Sequence, residues 1–347
     1  MFYPVETASH WKGIGRLTLR KRFSAFRRDR RQRQAMAAHA PVDLVPLHRA
    51  SGPLLRSDVV LLCVTRNAMA FLPSLLAHYR RLGVKRFAFV DDRSGDGSRE
   101  WLAAQPDVDL FGSRASFRDS EGGLTWRDML VAHYGYGRWY VSIDSDEYLV
   151  FPGYETRGLA DFILDLERVR SKRVHAVMLD LYPEGPLGAV APPPAAETFP
   201  AEVCPFYDGT DYAIANEKFG TAVRGGPRRR LFGADMRISK FPLLLADRAT
   251  RFASGSHHGP LPLARNYAPV QAVLLHHKFG AGSVATFRRI ASEGTHANGS
   301  IFYRRIVEKD GFDETAILHF DGSRRFEGSE KLVRDGMMQD LRRPLRL

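Results

Sequence analysis

Asp144, Asp146 and Glu147 stand in the run DSDE, directly after the apolar stretch 139–143 (WYVSI) and directly before 148–151 (YLVF). Carboxylates one residue apart at a strand end can point toward a single cation. Oxygen ligands suit Mg2+ or Mn2+, ions that also bind substrate phosphates. A D-x-D alone is a weak signal, since any acidic turn supplies one. Its placement between apolar runs is more telling, because charges flanked by core need a partner. A second acidic run, DDRSGDGS at 91–98, follows the apolar stretch 87–90. A carboxylate there can accept hydrogen bonds from a base or ribose, and its glycines allow a tight turn. The plainer alternative is a capped turn, with Asp96 or Ser98 starting a helix.

His276-His277-Lys278 closes another apolar stretch. Beside an acidic metal site, a histidine there becomes a ligand and a lysine a point-charge partner for phosphate. Taken singly, each is an ordinary strand-end residue. His257-His258 either line the site or sit in a loop. Arg228, Arg229 and Arg230, after Gly225-Gly226, either grip a diphosphate or an anionic acceptor, or form a solvated basic loop.

These clusters need elements to hold them. The stretches 59–64 (VVLLCV), 87–90, 109–111, 139–143, 176–181 and 270–276 read as strands. Between them, 70–82 carries Phe71, Leu72, Leu75, Leu76, Tyr79 and Leu82 on one helical face, with Pro73 in the first turn. Helices are also expected over 98–104, 124–134, 158–169, 283–292 and 300–308. Strands alternating with such helices predict an α/β fold with a mostly parallel central sheet flanked by helices. Ligands in such sheets bind beyond the carboxyl ends of the strands, which is where both acidic clusters fall.

The net charge of +12 is unevenly spread. Residues 1–50 hold 11 Lys/Arg against Glu6, Asp29 and Asp43, whereas the rest holds 40 basic and 36 acidic residues. The expected organisation is a basic segment at 1–50, flexible or lying against a membrane; a catalytic domain at 51–295; and a C-terminal helical extension at 296–347. The arginines of residues 12–33 suit an anionic membrane surface or a solvated tail. No recognised nucleic-acid motif surrounds them, so nucleic acid is not the expected partner. Two cysteines, Cys63 and Cys204, are too few for a disulfide framework or a Cys-rich zinc module. No stretch nears about 18 uninterrupted apolar residues, and the N-terminus lacks the order of a signal peptide. The expected location is the cytoplasm, with a peripheral place on the inner membrane face.

Residues 58–290 resemble the family 2-type glycosyltransferases, and more closely the bacterial subgroup related to the family 92 enzymes. The resemblance rests on Thr65-Arg66-Asn67, Phe71-Leu72-Pro73 and His78-Tyr79-Arg80-Arg81-Leu82-Gly83. It continues through Phe89-Val90-Asp91-Asp92-Arg93-Ser94-Gly95-Asp96-Gly97, Tyr134-Gly135-Tyr136-Gly137-Arg138-Trp139 and Asp144-Ser145-Asp146-Glu147-Tyr148-Leu149-Val150. Later stretches add Gly225-Gly226-Pro227-Arg228-Arg229-Arg230, Ser239-Lys240-Phe241-Pro242-Leu243 and Leu275-His276-His277-Lys278-Phe279. Order and spacing together are specific, though no single motif is.

The resemblance implies a GT-A-type nucleotide-sugar-binding fold and an inverting transfer from a nucleotide diphosphate sugar to a glycan or polysaccharide. Thr65, Arg66 and Asp92 would meet the donor nucleoside, and Asp144 the ribose or the metal. Asp146 and His276 would hold Mn2+ or Mg2+, and Lys278 a phosphate. Arg93 and Gly95 depart from the residues common at those places, and the family's Glu-Asp pair for the catalytic base is absent. Asp208 and Asp211 are the candidate bases, with Asp180 behind them. The competing readings are a metal-dependent nucleotidyltransferase or phosphohydrolase, and a non-catalytic carbohydrate or membrane adaptor. Sugar-activating nucleotidyltransferases open with a Gly-rich basic loop where this chain has Thr65-Arg66-Asn67-Ala68, which disfavours that reading.

Overall fold

The run VLLCVT at 60–65 is buried at every position, as a strand must be when both faces of its sheet are covered. A computed structural model of the chain describes residues 2–6, 8–37, 42–252, 259–294 and 300–342. Its first elements are β1 (Phe2–Tyr3), α1 (Leu19–Met36), β2 (Val45–His48), β3 (Val60–Thr65), α2 (Leu72–Arg81), β4 (Arg86–Asp91) and α3 (Ser98–Ala103). Then come β5 (Val108–Gly112), α4 (Leu124–Tyr134), β6 (Arg138–Ile143), β7 (Glu147–Val150), α5 (Leu159–Arg168), β8 (Ala176–Asp180), β9 (Phe206–Asp208), β10 (Tyr212–Glu217) and β11 (Gly220–Arg224). The remainder is α6 (Pro227–Phe232), β12 (Ser239–Lys240), β13 (Leu243–Ala246), β14 (Ala272–His276), α7 (Ser283–Glu293), α8 (Ile301–Val307), β15 (Ser323–Arg325) and α9 (Ser329–Arg334).

The fold is mixed α/β. The largest sheet has the order β13-β6-β3-β4-β5-β2. Its four central strands are parallel, and an antiparallel strand closes each edge. Alternate side chains of β3 enter different cores. Leu61 and Cys63 pack with Leu72, Leu75 and Leu76 of α2, whereas Val60, Leu62 and Val64 pack with Leu124, Trp126 and Leu130 of α4. The period of two along the strand therefore meets helices on both faces.

The strands expected to share one sheet are divided between two. β13, an apolar run not singled out in the sequence, pairs with β6 and occupies the edge where a later strand would have joined. The chain turns after β6, and β7, β8 and β14 build a second sheet of order β12-β8-β14-β7. Residues 144–146 form the corner between the two sheets. Smaller sheets join β1 to β10 and β11, and β15 to β9. None of the described helices is long and apolar enough to cross a membrane.

Candidate functional site

Parallel register brings the carboxyl ends of three strands to one edge. Thr65 pairs with Asp91, and Cys63 with Ile143. The loops leaving β3, β4 and β6 therefore emerge side by side. In the second sheet His276 ends β14 opposite Glu147, which opens β7, and beside Asp180, which ends β8. Four short-range choices of strand end thus converge on the corner at 144–146.

Cations at this corner neutralise its acids. Lys240, buried, donates from Nζ to Asp144 Oδ2 at 2.5 Å and to Glu147 Oε1 at 2.5 Å. Arg127 donates to the other oxygen of Asp144 at 2.9 Å. Burial opposes the Asp144 charge, yet Lys240 and then Arg127 hold its carboxyl far below the usual range. Burial pushes Glu147 up, with Lys240 pulling against it. Gly123 caps α4 one turn before Arg127, and its φ of +81° suits glycine. A Cβ at that position would lie 2.9 Å from Val64 Cγ2 and 3.0 Å from Arg127 Nη1.

Asp146 faces the other way. Its Oδ2 lies 3.4 Å from His276 Nε2 and 3.5 Å from Lys278 Nζ. Burial opposes its ionisation too, but His276 and Lys278 hold its carboxyl well down. His276 is anchored from behind, with Nδ1 2.5 Å from Asp180 Oδ1. Asp180 in turn accepts two hydrogen bonds from buried Arg228, at 2.7 and 3.1 Å. One donor atom each from Asp146, Glu147 and His276 lies within 4.8 Å of the others. Two carboxylates and an imidazole suit Mg2+ or Mn2+. Glu147 has both oxygens engaged, by Lys240 and by the Asp144 amide. Asp146 and His276 are therefore the freer donors, and Asp144 faces Arg127 and Lys240.

A second polar cluster lies at the ends of β3 and β4. The Thr65 hydroxyl is buried without a hydrogen-bond partner. Asp92 is buried, and Arg93 Nε is 3.7 Å from it. Burial raises its carboxyl above the ordinary value, with Arg93 and Arg66 drawing it back. The other acids of the DDRSGDGS run are structural. Asp91 accepts from Arg99 at 2.6 and 2.8 Å, and Asp96 accepts from Ser98 and from the Met69 amide at 3.0 Å. Asn67 and Arg93 at the rim have φ of 51° and 60°, a left-handed conformation that tends to cluster at ligand sites.

The candidate bases lie elsewhere. Asp208 is buried on β9 and accepts from Arg230 at 2.9 and 3.0 Å and from the Tyr182 hydroxyl at 2.7 Å. Both of its carboxylate oxygens are therefore already engaged by neighbouring side chains. Asp211 is exposed on the next turn, with φ of 63°. Of the three arginines after Gly226, Arg228 and Arg230 are bound to Asp180 and Asp208, and Arg229 Nε is 3.7 Å from Asp235. His257 and His258 lie outside the described residues.

Lys240 and Arg127 carry no site role in the sequence reading, and Arg228, expected there to grip a diphosphate or an anionic acceptor, instead holds Asp180. Arg127 carried a signal: it lies on the helical face of Leu124, Leu130 and Val131, where a charge needs a buried partner.

No family model matches the chain, and no curated protein is similar to it. Among solved structures it is similar to the crystal structure of a 4-diphosphocytidyl-2C-methyl-D-erythritol synthase, at 13% identity and a TM-score of 0.28. That alignment covers 56% of this chain and 75% of the other. A likeness at that score decides neither family nor substrate.

Proposed function

We propose that the protein is a divalent-metal-dependent glycosyltransferase of GT-A type that uses a nucleotide diphosphate sugar. The observation that carries this reading is the placing of two unlike polar clusters, one at the carboxyl ends of β3 and β4 and one at the corner that follows β6. One offers a buried, unpartnered hydroxyl and a buried carboxylate, at Thr65 and Asp92. The other offers Asp146 and His276 beside Lys278. A nucleoside needs the first kind of group and a diphosphate the second. The four parallel strands and the turn into a second sheet at the acidic corner support the GT-A assignment.

In this reading Thr65 and Asp92 hydrogen-bond the nucleoside, with Arg66 at the rim. Lys278 meets a phosphate and offsets charge that builds on the leaving diphosphate. Asp146 and His276 would hold Mg2+ or Mn2+, which when bound supplies further positive charge to that diphosphate. Lys240 and Arg127 fix Asp144 so that the corner keeps its shape as the donor binds. The acceptor is a glycan hydroxyl, and Asp211 is the candidate base with the more accessible carboxylate. Nucleotidyl transfer would call on the same cation and acids, and differs in requiring a triphosphate.

The test is thermal unfolding with nucleoside diphosphates, nucleotide sugars and triphosphates, with and without Mn2+, on wild type and Asp146→Ala. A ligand that binds only the native state raises the melting temperature. Mn2+-dependent stabilisation by a diphosphate or its sugar, lost in Asp146→Ala, is the expected result. Stabilisation by triphosphates alone would move the assignment to nucleotidyl transfer. No stabilisation by any nucleotide would leave a binding protein without this chemistry.

A further inference from the structure

Helix α1 turns an apolar stripe outward. Its inner side is pinned to the body. Ala25 and Asp29 are buried, Ala25 packs with Leu261 and Leu263, and Asp29 Oδ1 accepts from the Leu263 amide at 2.9 Å. Arg33 donates to the Ala249 carbonyl. On the outer side Leu19 is 84% exposed, Phe23 64% and Phe26 67%. At about 100° per residue these three and Arg30 fall within roughly 60° of one another, so they form one stripe. A helix docked on a soluble body ordinarily turns polar residues outward and apolar ones in. Here the solvent side holds three large apolar groups.

The flanks of the stripe are basic. Arg22 on one side and Arg20, Arg27 and Arg31 on the other are exposed, as is Arg30 within the stripe, and the one acid of the helix, Asp29, is buried on the inner side. We propose that α1 is an interfacial docking helix for an anionic lipid bilayer, with Leu19, Phe23 and Phe26 entering the acyl boundary and the flanking arginines meeting phosphate headgroups. Charge complementarity selects the anionic surface, and the apolar stripe selects a bilayer over a nucleic-acid backbone. Phosphodiesters would satisfy the arginines but leave Leu19 and both phenylalanines in water. Both signals lie on one helix, which is the combination that membrane-surface helices use. This docking is independent of the chemistry at Asp146.

The experiment is sedimentation of the full chain with vesicles of phosphatidylcholine alone and of phosphatidylcholine with phosphatidylglycerol. The protein is expected to pellet with the anionic vesicles and to stay in solution with the neutral ones. Phe23→Ser with Phe26→Ser removes apolar area and keeps every charge; it should weaken partitioning about tenfold. Arg27→Gln with Arg30→Gln and Arg31→Gln should weaken it about a hundredfold. All five side chains point to solvent, so both variants should melt with wild type. Failure of the wild type to pellet with anionic vesicles overturns the proposal. So does undiminished partitioning of the phenylalanine variant, and so does arginine-dependent binding to duplex DNA in place of vesicles.

Discussion

His276 and Asp180 end neighbouring parallel strands at the same level, and the imidazole Nδ1 lies 2.5 Å from the carboxylate. This contact leaves Nε2 directed at Asp146. A carboxylate behind a ligating imidazole fixes ring orientation and raises basicity. Asp180→Asn should therefore weaken Mn2+ binding about 10- to 100-fold, read by calorimetric titration. Wild-type affinity in that variant would show that Asp180 serves only Arg228.

Lys240 stands between the buried carboxylate of Glu147 and the part-exposed one of Asp144. Lys240→Met leaves Asp144 and Glu147 facing each other with one cation fewer. Breaking a buried pair this way costs about 3–5 kcal/mol, so the melting temperature should fall by on the order of 10 °C. Adding Glu147→Gln removes one of the stranded charges and should restore part of the loss. If the double variant is no more stable than the single one, Glu147 is not what Lys240 neutralises.

Thr65 keeps its hydroxyl buried without a partner in the free protein. Thr65→Val is close in shape and removes that group, so the free protein should gain about 1 kcal/mol. Nucleotide affinity should fall several-fold in the same variant, because a ligand hydrogen bond goes with the hydroxyl. Denaturant unfolding and nucleotide titration on one sample separate the two effects. Lower stability of the free protein would mean that the hydroxyl already has a partner in solution.

Asp128 accepts the Phe252 amide at 2.9 Å, and burial pushes its carboxyl up from 3.8 to about 7. A carboxyl whose folded pKa lies above its unfolded one holds its proton better when folded. It therefore costs stability as pH rises through the window from its ordinary value toward neutrality. Asp128→Asn should match wild type at acidic pH and be more stable by roughly 1–3 kcal/mol above pH 7. Urea unfolding at acid and alkaline pH gives the comparison. The same stability difference at both ends would show that the charge is not what matters.

Much of the first sheet was legible in the sequence. The strands at 60–65, 86–91 and 138–143 and the helices α2 and α4 announce themselves by apolar period, which is a property of consecutive residues. The acids at 91–92 and 144–146 were legible as strand-end clusters for the same reason. The brief strand β13 was not, because nothing local separates LLLA from a buried turn of helix.

The composition and order of residues determined the apolar periods, the strand ends that carry acids, and the basic bias of the first fifty residues. Only the tertiary structure decided which of those acids remain available. Lys240 lies 96 residues from Asp144, and His276 lies 96 residues from Asp180. Asp208, an equally plausible carboxylate in the sequence, is occupied by Arg230. Whether a buried carboxylate is neutralised by a guanidinium or left facing an imidazole depends on which distant strand ends meet, and no local pattern encodes that meeting.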